Sequence, residues 1–305
     1  MNRIYRAVAA TGLSLALLLA PAAQAQTPAA SAAAAQRRAD PALWVVKDKD
    51  TTVYLFGTFH LLPPGYGWFD GGVKKAFDSS SELVTEAIEP DAKTLQPLMM
   101  RLAINRDGPP LTQKLSPKAQ ADYRKAMTEL ELPIDMFEPF DPWAAALNIQ
   151  VALFEKMGFG PDSGAETVLE AAAKASGKAR QELEGAELQI RIFDAMPERA
   201  QIALLESTVQ SIPEQRAVLN RMLASWAAGD AKTLSTLMNQ SLEETPELYK
   251  IMVTDRNARW AQWIERRMQQ PGTVFVAVGA AHLAGTGSVQ DYLKARKLRA
   301  KRVKY

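Results

Sequence analysis

Two histidines occur in this 305-residue chain, and both stand in the same frame. His60 closes Gly57-Thr58-Phe59-His60 and His282 closes Gly279-Ala280-Ala281-His282; each follows a run rich in β-branched and aromatic residues and precedes a leucine. A glycine at a strand's end lets backbone or ligand come close, because no Cβ blocks the way. Gly57 and Gly279 therefore read as close-approach positions. A histidine three residues on, where strand gives way to loop, projects from the end of a sheet, which is where open α/β sheets bind ligands. Neutral imidazole ligates metals, and its pKa near working pH lets it move protons. Glu86, ending the apolar run of "SELVTEAIEP", is the natural third member, with Glu82 and Glu89 as nearby competitors. Two imidazoles, one carboxylate and a water form a known catalytic metal arrangement, in which the ion acidifies the water and polarises a carbonyl. Ligand type admits zinc, manganese, cobalt or iron(II).

A single histidine after an apolar strand is more often a hydrogen-bonded structural residue. Two in matching frames, with none elsewhere, shift the balance to function. Arg256 and Asn257, in "DRNARW", share the face of a helix marked by Tyr249, Val253, Trp260, Trp263 and Ile264. A desolvated guanidinium needs an anion: a structural ion pair, a site carboxylate or a substrate carboxylate. At the site, Arg256 and Asn257 would orient Glu86 or the substrate, whereas the tryptophans read as core. Other chemistries are excluded or poorly supported. The chain has no cysteine nucleophile, no helical His-Glu-x-x-His and no phosphate-cradling Gly-x-x-x-x-Gly-Lys. "GTGSV" at 285–289 lacks the Gly-x-Ser-x-Gly frame of a serine-hydrolase elbow.

The elements that must position these residues are legible at both ends. "LWVV" and "TVYLFGTFH" flank "KDKD" as a hairpin, a short helix spans about 73–79, and "ELVTEAI" is a third strand ending near Glu86. The middle is helical. Ser116 with Pro117, Asp141 with Pro142, and Thr245 with Pro246 each read as a cap followed by a first-turn proline, and Gly158 closes the second of these helices. Further helices are expected over 164–176, 186–196, 198–212 and 214–228, with a short strand at "ARQELEG". The close reads strand, helix, strand. The expected fold is α/β (α+β): a sheet built from N- and C-terminal strands with a large helical insertion over about 91–270.

Residues 1–25 read as a secretory signal peptide, with a basic start, a short apolar stretch and cleavage after Ala25. Residues 26–41 read as a flexible leader with order beginning at Leu43, and 42–305 as one domain. The expected location is periplasmic or secreted, with no stable membrane span after cleavage. The chain carries 36 basic and 34 acidic residues; without Arg3 and Arg6 the two balance. Such balance argues against nucleic-acid binding, which needs a sustained basic surface.

The motifs resemble those of the TraB/GumN family, which includes the animal Tiki proteins. Its marks are two Gly-x-x-His motifs and a glutamate after the first, here "GTFH", "LVTE" ending at Glu86, and "GAAH". The similarity extends through "LWVV", "EGAELQIRIFDAMP", "DRNARW" and "VQDYLKARKLRAKRVKY", essentially all of the chain beyond the leader. Where many relatives carry aspartate in a mid-chain Gly-x-Asp, this chain has Glu166, and no site role rests on it. Tiki proteins resemble metal-dependent peptidases that clip a secreted ligand. The wider superfamily resembles erythromycin esterases, in which a corresponding histidine activates water. The expectation is a metal-dependent hydrolase acting on peptide bonds, with His60, Glu86 and His282 as metal ligands or water-activating groups and a peptide or small molecule as substrate. The alternatives are an ester hydrolase with a histidine general base and no metal, and a non-catalytic envelope protein that binds a metal, a haem or a peptide.

Overall fold

The computed structural model describes residues 37–88, 90–243 and 246–305. The expected signal peptide and most of the leader lie outside them, as do Glu89 and the cap assigned to Thr245. The fold begins earlier than Leu43: β1 (Arg37–Arg38) pairs in parallel with β4 (Tyr66–Gly67), and Ala39 is buried.

β2 (Leu43–Lys47) and β3 (Thr51–Thr58) form the expected antiparallel hairpin, closed by Asp48 Oδ1 accepting from the amides of Asp50 and Thr51. β3 pairs in parallel with β7 (Gly272–Gly279), and β7 pairs in parallel with β5 (Glu82–Thr85). β6 (Ala179–Glu182) and β8 (Lys301–Arg302) complete a six-stranded sheet of order β6-β5-β7-β3-β2-β8. The sheet is therefore not built from the termini alone, because β6 comes from within the insertion. Alternation along β7 sends Val274, Val276 and Val278 to one apolar layer and Phe275 and Ala277 to the other. Burial on both faces is why the central parallel strands read as continuous apolar runs.

The larger layer is helical: α1 (Gly71–Asp78), α2 (Ala92–Leu102), α3 (Pro117–Glu129), α4 (Pro142–Lys156), α5 (Ala165–Ala175), α6 (Ala186–Asp194), α7 (Glu198–Ala227) and α8 (Ala231–Glu243). Ser116 caps α3 as expected, its Oγ accepting from Ala119 N–H. Asp141 stands at the N-cap of α4 but makes no capping bond, and its Oδ1 lies 3.8 Å from Lys114 Nζ instead. The two helices expected at 198–212 and 214–228 are one helix of 30 residues with Pro213 inside it. Leu205, Val209 and Ile212 before the proline, and Leu219, Leu223 and Trp226 after it, are all buried, and that continuous apolar face outweighs the lost backbone bond. Trp226 then donates Nε1–H to Gly57 O at 2.8 Å, fastening α7 to the end of β3.

The other face is covered by α10 (Asp255–Arg267) and α11 (Val289–Ala295), whose Trp260, Ile264, Val289 and Leu293 are buried. α10 is entered through α9 (Pro246–Tyr249) and a π-helical turn at Lys250–Thr254.

Candidate functional site

The carboxyl ends of β3, β7 and β5 carry His60, His282 and Glu86, and the three strands are parallel neighbours. Gly279 marks where their side chains meet. A Cβ built on it would lie 3.2 Å from Glu86 Oε1, 3.3 Å from His60 Nε2 and 3.6 Å from His282 Cδ2. Gly57 makes room for something else: a Cβ there would press on Ala280, with its Cβ at 3.0 Å and Cα at 3.1 Å. The two motifs are offset by one residue in the sheet, since Gly279 pairs with Thr58 rather than Gly57.

Glu86 is buried and fully engaged. Oε1 accepts from Gly279 N–H at 2.6 Å, and Oε2 accepts from Arg256 Nη2 at 2.6 Å and Gln189 Nε2 at 3.1 Å. Arg256, 2% exposed, spans two carboxylates, its Nε donating to Glu184 at 3.0 Å. Trp260 Nε1–H donates to Glu184 Oε1 at 2.9 Å, and the Arg256 guanidinium lies 4.8 Å from the Trp260 ring centroid. Asn257 Nδ2 donates to Gly287 O at 2.8 Å, which turns its Oδ1 toward His282 Nδ1 at 2.7 Å. His282 thus carries its proton on Nδ1, and its Nε2 accepts from Arg256 Nη1 at 3.3 Å.

His60 is arranged differently. Its Nδ1 lies 2.6 Å from Glu166 Oε1, with side chains 11% and 23% exposed, so this pair is less buried than Arg256 and Glu86, although both Glu166 carboxylate oxygens are shielded from water. The loops carrying the pair are zipped together. Leu62 and Gly160 exchange backbone hydrogen bonds, Ala165 N–H donates to Phe59 O at 3.1 Å, and a Cβ on Gly164 would collide with the His60 carbonyl. Gly164 is therefore what lets Glu166 reach His60.

These environments drive like groups apart. Burial alone would lower the His60 pKa, but the Glu166 carboxylate and, more weakly, Glu86 overcome it and raise it to about 8. Burial and the Arg256 charge push His282 down to about 3, leaving it neutral. Burial opposes ionisation of Glu86, yet Arg256 and the two histidines hold it at about 2. One histidine can thus exchange a proton near neutrality, and the other is a fixed hydrogen-bonding group.

The frame of this site extends over nearly the whole described chain, and the family model for the TraB/PrgY/gumN family matches residues 42–302. The chain belongs to that family. It is also 27% identical over 184 residues to the uncharacterized protein YbaP of Escherichia coli K12, covering 60% of this chain and 68% of that one. YbaP of Shigella flexneri matches to the same extent. No solved structure matches the chain. For this TraB/PrgY/gumN protein, the structure brings His60, Glu86, His282, Arg256 and Asn257 together at Gly279, while Gly57 serves the backbone beside them. Glu82 lies at the other end of β5 and faces Arg267 at 3.6 Å. Sequence reasoning missed Glu184, Gln189 and the polar role of Trp260, which no spacing announces, and left Glu166 without a role although its place in the family's Gly-x-Asp turn was a signal.

The donor types suit a divalent ion, but their arrangement does not. Glu86 Oε2 and His282 Nε2 already face the Arg256 guanidinium, a fixed positive charge. Among the described residues, no group of three or more His, Asp or Glu side chains is set to hold a metal.

Proposed function

We propose that the site is hydrolytic, cleaving a peptide or ester carbonyl bond, with His60 as the proton-transfer group. The observation that carries this reading is the His60–Glu166 pair, the less buried part of the network. Glu166 orients the imidazole through Nδ1 and favours its protonated form, and Nε2 lies on the side of Gly279 and Glu86, where a water and a carbonyl would meet. In its neutral form His60 takes a proton from water as the water attacks the carbonyl; as imidazolium it returns that proton to the leaving group. Glu86 supplies a permanent negative charge facing that imidazolium; Arg256, Gln189 and the Gly279 amide hold Glu86 in place, while Asn257 fixes His282, whose Nε2 accepts from Arg256.

A metal-dependent reading is favoured by the meeting of His60 Nε2, Glu86 Oε1 and the His282 ring around Gly279. It requires Arg256 to leave His282 Nε2 and Glu86 Oε2, so the metal-free reading comes first. His60→Ala is expected to lower hydrolysis in a peptide and ester panel by about 10²–10⁴-fold. Activity of the dialysed wild type should survive chelator. Loss on chelation with recovery on adding manganese, cobalt, zinc or iron(II) would replace this reading with the metal-dependent one. Wild-type activity unaltered by His60→Ala would remove both.

For location, the composition of residues 1–25 supports export to the periplasm. Sequencing the amino terminus of the exported protein is expected to begin at Gln26. Among the described residues no helix is long and apolar enough to cross a membrane.

A further inference from the structure

Thr58 ends β3 two residues before His60, and the chemistry above makes no use of it. It is 1% exposed, and among the described residues its Oγ1 has no hydrogen-bond partner. A buried hydroxyl without a partner is costly. Valine has the same shape, carries no such cost and suits a strand better. The buried residues before it on β3, Val53, Leu55 and Phe56, are all apolar. Packing alone therefore does not account for a hydroxyl at this position.

Its place in the sheet says what it stands beside. Thr58 pairs with Gly279 across β3 and β7. Alternation puts Phe56 and Thr58 on the face shared by Phe275, Ala277 and Gly279, whereas Leu55 and Val276 lie on the other. Thr58 is thus one strand spacing, about 4.8 Å, from Gly279. On that same face His60 Nε2 and Glu86 Oε1 come within 3.3 and 3.2 Å of the position a Gly279 Cβ would take. The hydroxyl bonds neither of them directly. A gap of this order between polar atoms is spanned by one water, and a buried water makes about three hydrogen bonds. Glu86 Oε1 takes the Gly279 N–H, and a carboxylate oxygen accepts a second donor as well. Two more buried acceptors beside the site lack a donor: Gln189 Oε1, whose Nε2 is on Glu86, and Asn239 Oδ1, whose Nδ2 reaches Ala281 O at 3.3 Å.

We infer that Thr58 Oγ1, His60 Nε2 and Glu86 Oε1 hold one water between them, and that the Thr58 hydroxyl aims this water for attack. The hydroxyl donates to the water oxygen. The water donates one O–H to the neutral imidazole and the other to the carboxylate, which leaves one lone pair directed at a substrate carbonyl. As that pair forms the bond to the carbonyl carbon, the O–H bond toward His60 breaks and the imidazole takes the proton. The imidazolium gives the proton to the leaving group when its bond to carbon breaks. That the water attacks a carbonyl rests on the hydrolase reading; that it is bound here does not.

Two variants test this: Thr58→Val deletes the hydroxyl and keeps the shape, and Thr58→Ser keeps the hydroxyl. In the peptide and ester panel, Thr58→Val should lower kcat by about 10²-fold, the cost of a misplaced reactant, with KM within about twofold of wild type. Its urea midpoint should be no lower than that of the wild type, because no bond to protein is lost. Thr58→Ser should stay within about tenfold of wild-type kcat. A crystal structure of the wild type should show a water within hydrogen-bonding reach of all three atoms, shifted or lost in Thr58→Val. Full activity of Thr58→Val where His60→Ala is inactive overturns the inference and leaves the hydrolase reading standing. A loss that Thr58→Ser fails to restore, a lowered urea midpoint with unchanged kcat, or no water at the three atoms overturns it as well. A water held there in a protein that cleaves nothing in the panel sustains the water site and counts against the hydrolase reading instead.

Discussion

His60 and His282 share a sequence frame and end with opposite chemistry, because what surrounds an imidazole sets its pKa more than the motif that carries it. His60 faces Glu166 and Glu86, with Arg256 opposing them; His282 faces Arg256, with Glu86 opposing it. A general base works in its neutral form, so kcat/KM is expected to rise with pH through about 8 as His60 loses its proton. Glu166→Gln removes the carboxylate that raises this value. The acid limb should move to lower pH and the plateau should fall, because the imidazole is held less firmly. A pH–rate profile of both proteins checks this, and an unmoved limb would show that His60 is not the titrating group.

At the level of elements, the sheet's register brings a spare volume to Gly279. Adjacent parallel strands β3, β7 and β5 deliver three side chains to one end, and only a residue without Cβ leaves them room. Gly279→Ala is therefore expected to displace Glu86 and His60 by a few tenths of an ångström. Misplacement on that scale costs about tenfold or more in kcat/KM, against overpacking of about 1–3 kcal/mol in stability. Steady-state kinetics beside a urea titration separates the two effects, and unchanged kinetics would mean that Gly279 does not border the reacting centre. The π turn before α10 is a second positioning element: Arg256 Nη1 donates back to Met252 O within it while its guanidinium reaches forward to Glu86. Periodicity alone puts Arg256 on an apolar face, but the extra residue in the turn belongs to the backbone and leaves no mark in the hydrophobic pattern.

Across the whole molecule, Arg256 ties the layers together. It comes from a helix on one face, reaches Glu86 at the end of β5 and Glu184 just beyond β6, and is shielded from water. A buried charge whose partner is deleted is costly, so Arg256→Met, leaving Glu86 without its cation and Glu184 with Arg259 alone, should destabilise the fold by about 3–5 kcal/mol. Denaturant unfolding reads this directly; a change below about 1 kcal/mol would show the network to be solvated. The chain's two ends and its middle all contribute to this network, which explains how much of it was legible. The hairpin, the central strands and the helix capped by Ser116 follow local rules and could be read from spacing. The fusion across Pro213 could not, because burial against distant residues decided it; the strand at 179–182 was legible, but its pairing with β5 was not, because its partners lie far away in the chain.

The amino-acid sequence by itself determined which side chains were available: two imidazoles in matching frames, a carboxylate after the third central strand, and an arginine with an asparagine on an apolar helix face. Pattern suffices for this because hydrophobic period and turn chemistry act over a few residues. Tertiary structure alone decided which histidine is basic, that Arg256 lies between Glu86 and His282, and that Glu166 and Glu184 join the site. Those outcomes depend on electrostatic contacts between residues far apart in the chain, set by distance and burial rather than by sequence separation.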